Sequence, residues 1–306
     1  RLLRFVRQAV WKRNGEDPHC AARVTHDDVF AAVAAVRAML QWRIKHGVDA
    51  IREEILAHAA EWSFNDLPVG VSIDAALPSN YWLGRDDYHD IVGLQLLGEG
   101  AELALLPDGF TARDYERAHI YRSEFLSIVL DRMSRIERRV ACYSTVYDVG
   151  GARLLDAKAV GGLLQGALRL DMNYYPLQRK RAFVARAGGY AMNALFKVFR
   201  AATEKVLHGS LEILKANETD AALLAAGLPA VTLPPFLGGT LQVGAAGGRC
   251  CGGVPHPVLA EVLRDVAARA DAAAGARAAD VHVERAALNA DRRQASEQSV
   301  PQRAAA

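Results

Sequence analysis

Few residues in this chain are spaced for bond-making chemistry. The histidines His46, His58, His89, His119 and His208 share no ligand spacing, and each reads as a surface or satisfied core side chain. Asp86, Asp87 and Asp90 around His89 form the densest carboxylate cluster, which a polar turn ahead of a strand accounts for. No G-x-x-x-x-G-K-S/T loop is present to cradle nucleotide phosphates, and no G-x-S-x-G elbow to present a nucleophile. Gly98-Glu99-Gly100-Ala101-Glu102-Leu103 lacks the third small residue of a dinucleotide fingerprint and no helix start follows it. Cys20 follows His19, but no C-x-x-C or H-x-x-x-H spacing completes a metal site. The expectation is a non-enzyme with neither cofactor nor metal.

Composition narrows the classes further. The 306 residues can bury roughly 75% of the unfolded surface without staples. Four cysteines, Cys250 and Cys251 adjacent, are too few for a disulfide framework and read as free thiols in a reducing compartment. A net charge of +2 argues against a nucleic-acid partner. Basic residues still cluster at Arg1, Arg4, Arg7, Lys12 and Arg13, and at Arg179, Lys180, Arg181 and Arg186. Such clusters suit either a solvated face or a surface meeting anionic headgroups, where each cation contributes about 1 kcal/mol. No apolar run reaches the roughly 18 residues of a membrane span. A cytoplasmic, peripheral-membrane location is expected, with an organellar address ahead of Arg1 left open because the chain opens without Met.

Periodicity supplies the elements that would hold any site. Residues 1–60 read as a small helical bundle. Thr25 and Asp28 make a capping signal, and Val29, Val33, Val36 and Leu40 follow at helical spacing. Trp42 ends that stripe, Gly47 stops the helix, and Asp49 is placed to cap a shorter one through Ile51, Ile55 and Leu56. Residues 61–243 read as α/β. Strands are expected at Ile91–Leu97, Val140–Val149 and Ala182–Ala187. Between them fall a long helix at Ala112–Arg139 (inward residues including Tyr115, Ala118 and Arg122) and another from Asp156, with Leu163, Ala167 and Leu168 buried, ending at Pro176. Asn193–Ala202 is a further helix. This alternation implies parallel βαβ units. Residues 244–306 read as a glycine-rich loop, an amphipathic helix over His256–Ala272 and an Ala-rich tail.

The order of features from Val140 onward resembles the CRAL-TRIO lipid-binding family, which includes phosphatidylinositol-transfer, tocopherol-binding and retinal-binding proteins. The residues that carry the likeness are Asp148-Val149-Gly150-Gly151, Asn173-Tyr174-Tyr175-Pro176, Arg186-Ala187-Gly188, Phe196-Lys197-Val198-Phe199, Lys205-Val206 and Leu233-Pro234-Pro235-Phe236-Leu237-Gly238-Gly239. Leu3-Arg4-Phe5-Val6-Arg7 and Leu40-Gln41-Trp42-Arg43 add to it near the N-terminus. The resemblance implies a sheet floor and helical walls around a closed apolar pocket, gated by a mobile helix within residues 191–205. A monomer carrying one lipid between membranes is expected, with a transient membrane contact. Burying a 16-carbon tail gains on the order of 12 kcal/mol, which explains why such a ligand needs a lid.

The resemblance implies lipid contacts from Tyr143, Thr145, Tyr147, Tyr175, Leu177, Phe183, Leu195, Phe196, Phe199 and Lys205. Thr145 matches a threonine beneath a phosphocholine, and Lys205 a lysine of the phosphatidylinositol binders. The family pattern is broken at Leu177, where an acidic residue is usual, and at Tyr143, where a serine is usual. The ligand is therefore phosphatidylcholine, phosphatidylinositol or an isoprenoid-like molecule. The alternative function is a regulatory scaffold that senses lipid and recruits a partner through the helix beginning near His256.

Overall fold

The computed structural model describes residues 2–14, 23–58, 67–68, 70–77, 79–98, 102–152, 163, 166–188 and 211–241. Their order is α1 (Leu2–Asn14), α2 (His26–His46), α3 (Val48–Ala57), α4 (Gly70–Ala76), β1 (Ser79–Arg85), β2 (Ile91–Leu96), α5 (Ala112–Glu137), β3 (Tyr143–Asp148), β4 (Arg179–Ala187), β5 (Leu211–Lys215) and α6 (Thr219–Ala225). Residues 166–174 are also helical. The sheet runs β1-β2-β3-β4-β5, with β1 antiparallel to β2 and the other pairs parallel. The α/β reading with parallel units therefore stands, and β1, β5, α4 and α6 are additions to it.

Local signals set several ends. Thr25 Oγ1 accepts the Asp28 N–H at 3.3 Å while Asp28 Oδ2 accepts the Thr25 N–H at 2.7 Å, closing a capping box. Gly47 ends α2 with φ +63°, a left-handed conformation that costs glycine little. Asp49 does not cap α3: the cap is Gly47, and Asp49 Oδ1 instead accepts from Arg43 Nε at 2.8 Å.

Two layers cover the sheet. On one face α5 packs over Ile91, Tyr143 and Tyr147, and α3 and Trp42 of α2 join the same core. Arg43 crosses this layer to Glu124 at 2.5 Å, a carboxylate with no exposure that also receives Arg52 at 3.1 Å. Trp42 stacks on Tyr174 at 4.1 Å. On the other face Val92, Leu94, Val146 and Phe183 meet Leu223, Leu233 and Leu237 of the C-terminal segment. There Gly239 is obligatory, because a Cβ would lie 1.8 Å from the Leu233 carbonyl oxygen.

The stripe Val29, Val33, Val36, Leu40 is corrected in part. Val29, Val33 and Leu40 are exposed, Val36 is partly buried against Phe5, Ala32 and Met39, and α2 buries Asp28, Ala32, Met39, Trp42 and Arg43. Apolar residues occur on both sides of this helix, so spacing alone could not say which side faces the core.

Candidate functional site

Strand alternation builds the site. Tyr143, Thr145 and Tyr147 point to the α5 side, whereas Ser144, Val146 and Asp148 point away. Register places Gly93 and Ala182 on either side of Thr145, and Gln95 and Val184 on either side of Tyr147. Small neighbours thus flank the threonine hydroxyl. Phe183 is on the opposite face, fully buried with Val146 and Leu233, because it pairs with Val146 rather than Thr145. That placement separates it from the other expected contacts on β3.

A bulge at the start of β4 divides its basic residues. Tyr143 pairs with Arg179 but Ser144 pairs with Arg181, so Lys180 is the extra residue and the two arginines face opposite ways. Arg179 enters the α5 side, where it meets Asp171, and its Nε donates to the Tyr143 hydroxyl at 3.2 Å. Its guanidinium lies over the rings of Tyr143 at 5.6 Å and Tyr147 at 5.8 Å. Arg181 instead reaches Asp86 at 3.0 Å on the far face, and Lys180 reaches Asp90 at 3.5 Å. Arg186 is bidentate on Asp148 at 2.5 and 2.7 Å. The basic run is therefore spent on internal ion pairs and is not a headgroup-facing surface. The polar-turn reading of the aspartates holds: Asp86 Oδ1 accepts the N–H groups of Tyr88 and Asp90, each at 2.9 Å.

Burial and charge oppose each other here. Burial disfavours the charge on Arg179, yet Tyr143, Tyr147 and Asp171 outweigh it and hold its pKa well above the ordinary arginine value. Burial likewise acts to raise Asp171, but His119, at 2.6 Å, and Arg179 win and lower it. Tyr147 is pushed up to about 12 by burial, against the pull of Arg179. Tyr147 is a neutral phenol at physiological pH.

Two buried donors on this side have no hydrogen-bond partner among the described residues, Thr145 Oγ1 and Arg179 Nη1, while the Gln95 amide donates to the Tyr115 hydroxyl. Gln95 and Arg179 border a cavity of about 10 Å³ together with Tyr115, Arg122, Tyr143 and Tyr147. That is room for about one water, and the lining mixes these polar and aromatic groups with Leu126, Ala167 and Leu168. The closed apolar pocket expected from the sequence is not found among the described residues. Tyr175 and Leu177 sit elsewhere, where the strands begin. Tyr175 packs edge-on to Trp42 at 5.8 Å, and the Leu177 carbonyl accepts from Arg4 Nη1 at 2.5 Å. Leu195, Phe196, Phe199 and Lys205 lie outside the described residues, as do Asp156, the gate segment and the helix near His256.

Arg179, Gln95 and Asp171 were not anticipated as site residues. The available signal was Arg122 within the inward stripe of α5, since a buried arginine on such a stripe implies polar company. Among the described residues no group of His, Cys, Asp or Glu could hold a metal ion. No helix of the described residues is long and apolar enough to cross a membrane.

No family model matches the chain. Two curated proteins of Arabidopsis thaliana do. Phosphatidylinositol/phosphatidylcholine transfer protein SFH14 is 24% identical over 221 residues, covering 71% of this chain and 36% of that protein. Phosphatidylinositol/phosphatidylcholine transfer protein SFH7 is 26% identical over 245 residues, covering 73% and 41%. Both similarities support the resemblance to the CRAL-TRIO family. The chain spans well under half the length of these curated relatives. The α/β sheet with its parallel strands is consistent with that resemblance.

Proposed function

We propose that this chain binds one phospholipid on the α5 side of the sheet and carries it between membranes without catalysing a reaction. The observation that carries the reading is the pair of buried donors Thr145 Oγ1 and Arg179 Nη1. Each buried donor left unpaired costs about 1–3 kcal/mol, so acceptor oxygens from a ligand would stabilise them together. A phosphodiester or ester group supplies such oxygens; an isoprenoid hydrocarbon does not. The similarity to phosphatidylinositol/phosphatidylcholine transfer proteins supports the same ligand class. In this reading Leu195, Phe196 and Phe199 cover the acyl tails and Lys205 meets the headgroup, while Tyr175, Leu177 and Phe183 serve the framework.

The test is lipid extraction and native mass spectrometry of gently purified protein, followed by uptake from mixed liposomes. One phospholipid per chain is expected. A lipid-free chain that takes none up from phosphatidylcholine or phosphatidylinositol liposomes would sink the proposal.

A further inference from the structure

The exposed side of α2 has no role in the site described above. Val29, Phe30, Val33, Leu40 and Ile44 are 43%, 62%, 40%, 50% and 79% exposed. Spacings of three and four residues put them along one side of the helix, over about 22 Å of its length. A soluble surface helix normally turns polar groups outward, so an apolar outer face marks an interaction surface. Its charge pattern says what kind. From Val29 to Val48 the chain carries no carboxylate, and the exposed charges of that stretch are Arg37 and Lys45. Arg43 is directed inward to Glu124 and is neutralised there. An apolar stripe whose exposed rim is cationic from Val29 onward, with Asp27 the one exposed carboxylate of the helix at its N-terminal end, complements the headgroup region of an anionic bilayer. A protein partner would more often meet a stripe with mixed charge at its rim.

We infer that α2 is a membrane-docking face, lying along an anionic bilayer with Phe30, Val33, Leu40 and Ile44 inserted and Arg37 and Lys45 on headgroups. The inference deepens the lipid-carrier reading and rests on it for its purpose. It places a docking surface on the N-terminal helices, in addition to any contact made elsewhere on the chain.

The test is co-sedimentation of the full chain with vesicles of phosphatidylcholine, with and without about one-third phosphatidylserine. A Phe30→Ser, Ile44→Ser double variant alters only exposed side chains and should keep its circular dichroism while losing more than tenfold in vesicle affinity. An Arg37→Gln, Lys45→Gln double variant should weaken binding to the anionic vesicles roughly 25-fold, at about fivefold per charge, and leave neutral-vesicle binding unchanged. Phe30→Trp should gain fluorescence that brominated phosphatidylcholine quenches. Vesicle binding unchanged in the serine variant, with no quenching at Trp-substituted Phe30, overturns the inference. So does a vesicle-free dimer that the serine variant abolishes, because the face would then serve self-association. Lipid co-purification on the same samples separates the two readings. A chain loaded with lipid that docks regardless of these residues refutes docking alone, and an empty chain that docks through them refutes lipid carriage alone.

Discussion

Replacing Thr145 with valine tests the site most directly. The two side chains are near-isosteric, so Thr145→Val exchanges one buried, unpartnered hydroxyl for a methyl group between Gly93 and Ala182. In the lipid-free protein the wild type bears the cost of an unsatisfied hydroxyl, about 1–3 kcal/mol. The variant should therefore be more stable when empty, by about 1–2 kcal/mol after allowance for imperfect packing of the new methyl. In the phospholipid-loaded protein the sign reverses. The hydroxyl then bonds an acceptor oxygen, and its loss removes a hydrogen bond of about 0.5–1.5 kcal/mol; added to the gain of the empty form, this weakens lipid retention by about 1.5–3.5 kcal/mol, roughly tenfold to a few hundredfold. The assay is urea unfolding of delipidated and phosphatidylcholine-loaded samples of both proteins, with lipid exchange between liposomes measured in parallel. A stability change of the same sign and size in both samples would refute the reasoning, because the hydroxyl would then be answering to the protein and not to a ligand.

Three further outcomes follow from the geometry. Arg43→Ala takes the buried guanidinium away from the fully buried Glu124 carboxylate, and should cost about 3–5 kcal/mol in denaturant unfolding. The folded-state pKa of Asp171 lies below its ordinary value of 3.8, so its pairing stabilises the fold above about pH 4 and that contribution fades as pH falls through the lowered value. Unfolding midpoints across pH 2–6 should show a shallower acid slope for Asp171→Asn than for the wild type. The Cys142 thiol is pushed up to about 11 by burial, against the opposing pull of Arg4, so it should resist iodoacetamide at neutral pH in the native chain and react once unfolded. Peptide mapping reads that difference directly.

Much of the frame was legible from patterns that act locally. The capping box at Thr25 and Asp28, the stop at Gly47, the long helix from Ala112 and the buried strand through Thr145 each follow from residues a few positions apart. β1 and β5 escaped because these edge strands, Ser79–Arg85 and Leu211–Lys215, carry polar and charged residues that break any continuous apolar run. The ordered motifs also pointed to a lipid-binding family, and the plant phospholipid-transfer relatives support that resemblance.

What the sequence by itself determined is where the chain turns, where it runs straight and which segments are apolar enough to be covered. Only the tertiary structure decided which side each covered residue faces and which partner each charge takes. The bulge after Arg179 sends that arginine to Asp171 and Arg181 to Asp86, a division that their spacing in the sequence does not contain. The apolar stripe of α2 points outward for the same kind of reason. Met39, Trp42 and Arg43 on its other side find partners in α1, Tyr174 and Glu124. A period of 3.6 residues fixes which side chains share a face, but the choice of the face that packs belongs to the neighbours it meets.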